Sequence, residues 1–79
     1  STGMCTYEEI DRTYNALLPI NHDLALMNCI SEYPPVYEDV NLNVIKDMQQ
    51  RYEKAIIGHS DHCPDLYTSY AAVALGAKL

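Results

Sequence analysis

Two imidazoles, a carboxylate and a hydroxyl occupy four consecutive positions in His59-Ser60-Asp61-His62, directly after Gly58. Such a set suits a divalent metal ion or an anionic substrate. Imidazole ligates zinc, manganese or iron, and a hydroxyl donates to a phosphate oxygen. The plainer reading is a polar loop in which Asp61 caps a turn and both histidines are solvated. Spacing alone does not choose, because two histidines three apart are not by themselves a metal site. A second group, Ser31-Glu32-Tyr33, offers a serine for an anion and a tyrosine for a sugar. Alternatively Tyr33, which precedes Pro34 and Pro35, only packs down its loop. Ser1-Thr2-Gly3 offers hydroxyls and a backbone that a phosphate can approach closely. Cys29 ends an apolar run and reads as a buried, inert thiol. Cys63 reads as more exposed, yet no third group is evident to orient His62 against it. His22 reads as solvated.

The elements that must position these groups are legible from periodicity. Thr6 and Glu9 form a capping box ahead of Ile10, Tyr14, Leu17 and Leu18, which recur at helical spacing until Pro19. This predicts a helix from Tyr7 to Leu18. Leu24 to Cys29 is short, almost wholly apolar and without alternation, as in a parallel strand covered on both faces. Pro34 and Pro35 forbid regular structure next. Asp39 or Asn41 then caps a second helix. Its apolar stripe is Leu42, Ile45, Met48 and Tyr52, while Lys46, Gln49, Gln50 and Glu53 face water. Ala55 to Gly58 reads as a second strand, and His59 to Pro64 as a turn-forming loop. A third helix runs from about Leu66 to Leu75, with Gly76 in the C-cap role. Lys78-Leu79 opens another strand.

Strands alternating with helices mean βαβ units and a parallel sheet, at an interval of about 30 residues. In such folds chemistry gathers at the carboxyl ends of the strands. Ser1 to Met4, Asn28 to Tyr33 and Gly58 to His62 all fall there. The opposite connections, Pro19 to Asp23 and Glu53-Lys54, are plain.

Composition narrows the partners. The chain has 79 residues, 48% of them hydrophobic, and a formal net charge of −6. The apolar share argues against disorder, and the charge argues against a nucleic-acid backbone or an anionic membrane surface as main partner. No apolar run approaches the roughly 20 residues of a membrane span, and no signal peptide is visible. Three widely spaced cysteines, with no CxxC pair, favour reduced thiols in a cytoplasm. A chain this short makes a thin core. Neither end trails into a polar tail, so the expectation is a piece of something longer.

Five segments together resemble the sialic acid synthase family, N-acetylneuraminate synthase and related nonulosonic acid synthases. They are Ser1-Thr2-Gly3-Met4, Cys29-Ile30-Ser31-Glu32-Tyr33-Pro34, Glu38-Asp39-Val40-Asn41-Leu42, Gly58-His59-Ser60-Asp61-His62 and Ala72-Val73-Ala74-Leu75-Gly76-Ala77. They come in family order, at family spacing, and cover nearly the whole chain. The resemblance implies an α/β fold, a partial (β/α)8 TIM barrel of about three βα units. Residues 1–79 would be a single fragment of the synthase barrel domain, from the end of strand 5 to the start of strand 8.

The implied reaction condenses phosphoenolpyruvate with N-acetylmannosamine or a related sugar. C3 of phosphoenolpyruvate attacks the open-chain aldehyde, water adds at C2, and phosphate leaves by C–O cleavage. A divalent metal, Mn2+ or Mg2+, polarises the aldehyde. By resemblance His62 is a metal ligand, Ser31 and Ser60 face phosphoenolpyruvate, and Tyr33 contacts the sugar. Asp61 holds the loop. His59 stands where the family usually carries an apolar or aromatic residue, Cys63 replaces a common threonine, and Asn28 a common histidine. A second metal histidine is expected beyond Leu79 and lysines for phosphoenolpyruvate before Ser1, so the isolated residues should not turn over.

Two further readings stand beside the enzyme. An inactive, self-associating α/β module would bury its open sheet edges against copies of itself, which predicts a homo-oligomer. A stand-alone metal-binding module would centre on His59 and His62.

Overall fold

The computed structural model describes residues 1–79. Helix α1 spans Tyr7–Leu17, strand β1 Ala25–Cys29, helix α2 Tyr37–Val40, helix α3 Asn43–Arg51, strand β2 Ile56–Ser60 and helix α4 Tyr67–Ala74. At α1 the capping box forms: the Glu9 carboxylate accepts from Thr6 N–H at 2.8 Å, and Thr6 Oγ1 accepts from Glu9 N–H at 3.3 Å. Two of the helix's free amide donors are thereby satisfied.

The strands are parallel, and their register runs from Ala25 opposite Ile56 to Cys29 opposite Ser60. Side chains alternate across a strand, so Leu26 and Ile57 share one face. That face receives Ile10 of α1, Ile45 and Met48 of α3, and Ala72 of α4. Ile45 and Met48 are wholly buried. On the opposite face Ala25 and Ile56 are exposed, while Cys29 and Gly58 nearer the carboxyl end are buried. The sequence reading expected cover on both faces; here the helices cover one. Both sheet edges are touched by the chain's own ends. Thr2 N–H donates to the Met27 carbonyl at 3.0 Å on one side, and Lys78 N–H to the Ile57 carbonyl at 2.8 Å on the other.

A polar seam closes α1 on α3. The Tyr52 hydroxyl donates to Asp11 Oδ1 at 2.7 Å, and the Tyr14 and Tyr52 rings meet at 4.9 Å. Burial first, then the bond and charge of Asp11, push the Tyr52 phenol up to about 12. Arg51 lies over the Tyr7 ring at 4.4 Å and pairs with Asp11 at 3.4 Å. That pair is half exposed and adds little; the buried ring of Tyr52 carries the contact.

Three local readings change. Tyr37–Val40 forms a one-turn helix that the sequence reading did not assign. Asn41 sits at φ 45° and ends that helix, a left-handed conformation that asparagine tolerates better than most residues. It therefore does not cap α3 with its side chain, and neither does Asp39; instead its carbonyl accepts from Val44 N–H at 3.1 Å. Gln49 does not simply face water. Its amide nitrogen donates to the Leu75 carbonyl at 3.4 Å, tying α3 to the end of α4.

The expected glycine stop is built in full. Ala77 N–H donates to the Ala72 carbonyl and Gly76 N–H to the Val73 carbonyl, the paired bonds of a Schellman motif, with Gly76 at φ 100°. A Cβ there would also lie 2.7 Å from Gln49 Nε2. We expect Gly76→Ala to destabilise the fold by about 1–2 kcal/mol, read as a lowered melting temperature; an unchanged one contradicts the motif's role. The open part of the sheet face generates a second expectation. The 79-residue chain should self-associate in light scattering, and a stable monomer at high concentration contradicts this.

Candidate functional site

Because β1 and β2 end together, the segments leaving Cys29 and Ser60 start side by side at one carboxyl edge. Ser31 follows Cys29 by two residues, and His62 follows Ser60 by two. His62 is bound to the β1 side. Its Nδ1 lies 2.8 Å from the Ile30 carbonyl oxygen, which can only accept, so Nδ1 carries the proton and Nε2 keeps its lone pair. Cys29 Sγ lies 4.0 Å from the same nitrogen. The Tyr33 ring packs on the imidazole with centroids 4.1 Å apart at 36°. Tyr33 is otherwise 75% exposed, so its second face looks into solvent.

Ser31 is exposed and Ser60 half-buried. A Cβ on Gly3 would meet Ser31 Oγ, so the first segment lies directly against the second. The Thr2 hydroxyl is spent inside the fold, donating to the Met27 carbonyl at 2.8 Å. That removes it from the phosphate role offered to Ser1-Thr2-Gly3.

Asp61 is the hub of the β2 segment. Its Oδ1 accepts from Cys63 N–H at 3.0 Å, and its Oδ2 accepts from the hydroxyls of Thr68 and, at 2.7 Å, Ser69. Burial pushes this carboxyl up. The bonds from Thr68, Cys63 and Ser69 outweigh it and hold the group well below the usual carboxylate range. The same carboxylate bears on Cys63: a bond from Thr68 lowers that thiol, but burial, Asp61 and Asp65 raise it overall. A thiol held protonated is no nucleophile. Tyr37 reaches across to Asp65 with its hydroxyl, joining the two segments at their outer ends.

Ser31, Tyr33, Ser60 and His62 thus share one end of the sheet. His59 does not join them. Strand β2 continues through His59 and Ser60, past the expected end at Gly58, because pairing with β1 extends to Cys29. His59 consequently takes the helix-covered face, opposite Asn28, with Nδ1 3.4 Å from Asn28 Nδ2. Sequence reasoning singled out Asn28 only as a replacement for a common histidine, not as a partner of His59, and it missed Thr68 and Ser69.

No three His, Cys, Asp or Glu side chains are placed to hold a metal ion together. The module centred on His59 and His62 has no such site. His62 alone fits a metal, as one ligand, because its Nε2 is free and its Nδ1–H is anchored to a carbonyl in the manner of metal-bound histidines.

The Asp61 network has a pH signature. An ionised carboxyl held below its unfolded value, about 3.9, contributes stability above that pH and loses it as pH falls through the folded value. Asp61→Asn should melt at a lower temperature than the parent at neutral pH. The gap should shrink on acidification below about pH 4; a gap independent of pH contradicts the assignment.

Comparison with known proteins places this geometry. The NeuB family model matches residues 1–79. The chain is 39% identical over 79 residues to human N-acetylneuraminate-9-phosphate synthase, covering 100% of this chain and 22% of that protein. It is 36% identical over 80 residues to N,N'-diacetyllegionaminic acid synthase of Campylobacter jejuni, covering 98% and 24%. It superposes on the crystal structure of the spore coat polysaccharide biosynthesis protein SpsE of Bacillus subtilis with a TM-score of 0.91 at 32% identity, over 95% of this chain and 22% of that one. The chain therefore spans less than a quarter of the length of these relatives. The parallel βα repeat is a partial (β/α)8 barrel. With a family match from the first residue to the last and a fold that agrees with it, the chain belongs to the NeuB family of sialic and related nonulosonic acid synthases.

Proposed function

We propose that these residues form part of the active-site mouth of a synthase that condenses phosphoenolpyruvate with N-acetylmannosamine or a related sugar. The single observation that carries the reading is the anchored imidazole: His62, Nδ1–H on the Ile30 carbonyl and Nε2 free, at the sheet end that also bears Ser31 and Ser60. The names of the relatives, synthases of sialic, legionaminic and pseudaminic acids, support the same reaction class. Residues 1–79 would run from the end of the barrel's fifth strand to the start of its eighth.

In this reading His62 Nε2 is one ligand of a divalent cation, Mn2+ or Mg2+, whose other ligands lie outside these residues. The chemistry such a cation supplies when bound is Lewis-acid polarisation of the sugar aldehyde. The chain's own groups bind and orient. The Ile30 carbonyl fixes the ring and raises the basicity of Nε2. The Ser31 and Ser60 hydroxyls donate to the anionic oxygens of phosphoenolpyruvate. Tyr33 holds one face of His62 and offers its other face to the sugar. C3 of phosphoenolpyruvate bonds to the aldehyde carbon, whose oxygen takes a proton. Water then adds at C2 and phosphate departs.

A cytoplasmic site fits three free cysteines, one of them exposed; no helix is long and apolar enough to cross a membrane. Self-association is proposed for residues 1–79 by themselves, on the strength of the sheet face they leave open.

The full-length protein should release inorganic phosphate from phosphoenolpyruvate only with an acetylated amino-sugar acceptor present. Offering N-acetylmannosamine, its 6-phosphate and a diacetylated analogue in parallel identifies the sugar. His62→Ala should lower the rate by at least about 100-fold. Full activity in that variant, or no release with any acceptor, contradicts the proposal.

A further inference from the structure

We propose that His59 is a positioning residue for His62, acting through Asp61: an imidazole buried between Asn28 and Asp61 sets the carboxylate that ties down both neighbours of His62. The side chain of His59 is 5% exposed. On one side its Nδ1 faces the amide nitrogen of Asn28, its register partner on β1, itself 4% exposed. An amide nitrogen only donates, so Nδ1 accepts and the proton sits on Nε2. That Nε2–H is wholly buried and has no hydrogen-bond partner at full bonding distance.

A buried donor left unmet is costly, and water does not meet it. The gap bounded by Ile30, Pro35, Val40, His59 and Asp61 has no room for a water molecule. The remaining acceptor is Asp61, whose Oδ1 stands 3.6 Å from Nε2. An approach of about half an ångström makes a charge-assisted hydrogen bond.

Asp61 transmits that contact. The same Oδ1 accepts from Cys63 N–H at 3.0 Å, while Oδ2 is held by Thr68 and Ser69 from the first turn of α4. His62 lies between Asp61 and Cys63, so the carboxylate grips the chain immediately before and after it. The turn is thus braced from β2 by His59 and from α4 by two hydroxyls. A phenylalanine at position 59 would fill the space and leave Oδ1 unbraced on the strand side.

The consequence for metal binding rests on the proposed role of His62, but the brace itself does not. Nitrogen-15 NMR of labelled histidine in the full-length protein, without metal, should find His59 protonated at Nε2 and bare at Nδ1. A glutamine reaches with its amide where Nε2 was, whereas asparagine reaches only Asn28. His59→Gln should therefore keep slow exchange of the Cys63 amide and bind Mn2+ within about threefold of the parent. His59→Asn and His59→Phe should speed that exchange and weaken Mn2+ binding on the order of tenfold. Protonation of His59 at Nδ1, or a phenylalanine variant with parental Cys63 exchange, overturns the proposal. Should the variants not fold, the tautomer in the parent decides alone. If the parent binds no Mn2+, the role of His62 fails, while tautomer and amide exchange still judge the brace.

Discussion

Parallel pairing of Ala25–Cys29 with Ile56–Ser60 is the constraint on which the other features depend. Side chains alternate along a strand, so this register decides two things together. It turns Leu26 and Ile57 toward the helices, where Ile45 and Met48 close the core. It also ends both strands at the same level, so the segments bearing Ser31 and His62 leave from one edge. A slip of one residue would send Ile57 out to solvent and bring His59 to the face now held by Ser60. Core and site are consequences of one set of hydrogen bonds. The 2.8 Å bond from His62 to the Ile30 carbonyl spans the two segments those bonds align.

The uncovered sheet face has its explanation in the family. In a (β/α)8 barrel the strands' inner face is filled by layers of side chains from several strands. Here only β1 and β2 are complete, with Thr2 and Lys78-Leu79 touching their outer edges. Exposed Ala25 and Ile56 belong to such an interior, and a chain spanning less than a quarter of its relatives' length leaves it open.

Much of this was legible in the residues. Helical spacing of Ile10, Tyr14 and Leu17, the Thr6–Glu9 box and the Gly76 stop marked their elements because each signal is local. What failed was decided at longer range. Tyr37–Val40 is one turn long, too short for any periodicity to register. Asn41 offered a side-chain cap by type, but its backbone adopted the left-handed turn that separates α2 from α3. His59 and Ser60 read as loop because they are polar; pairing with Asn28 and Cys29 made them strand. Gln49 read as solvated until the end of α4 arrived beside it. The residues assigned by resemblance fell at one end of the sheet.

The central claim is that Ser31, Ser60 and His62 share one cation-bearing mouth, with His62 Nε2 turned into it. Paramagnetic broadening by Mn2+ in the labelled full-length protein tests this most directly. At substoichiometric Mn2+ the His62 ring signals should vanish first, followed by the backbone signals of Ser31 and Ser60, while those of Asn21 and Lys54 at the opposite end stay sharp. Broadening that spares His62, or reaches Ser31 and Ser60 no sooner than Asn21 and Lys54, would contradict the account.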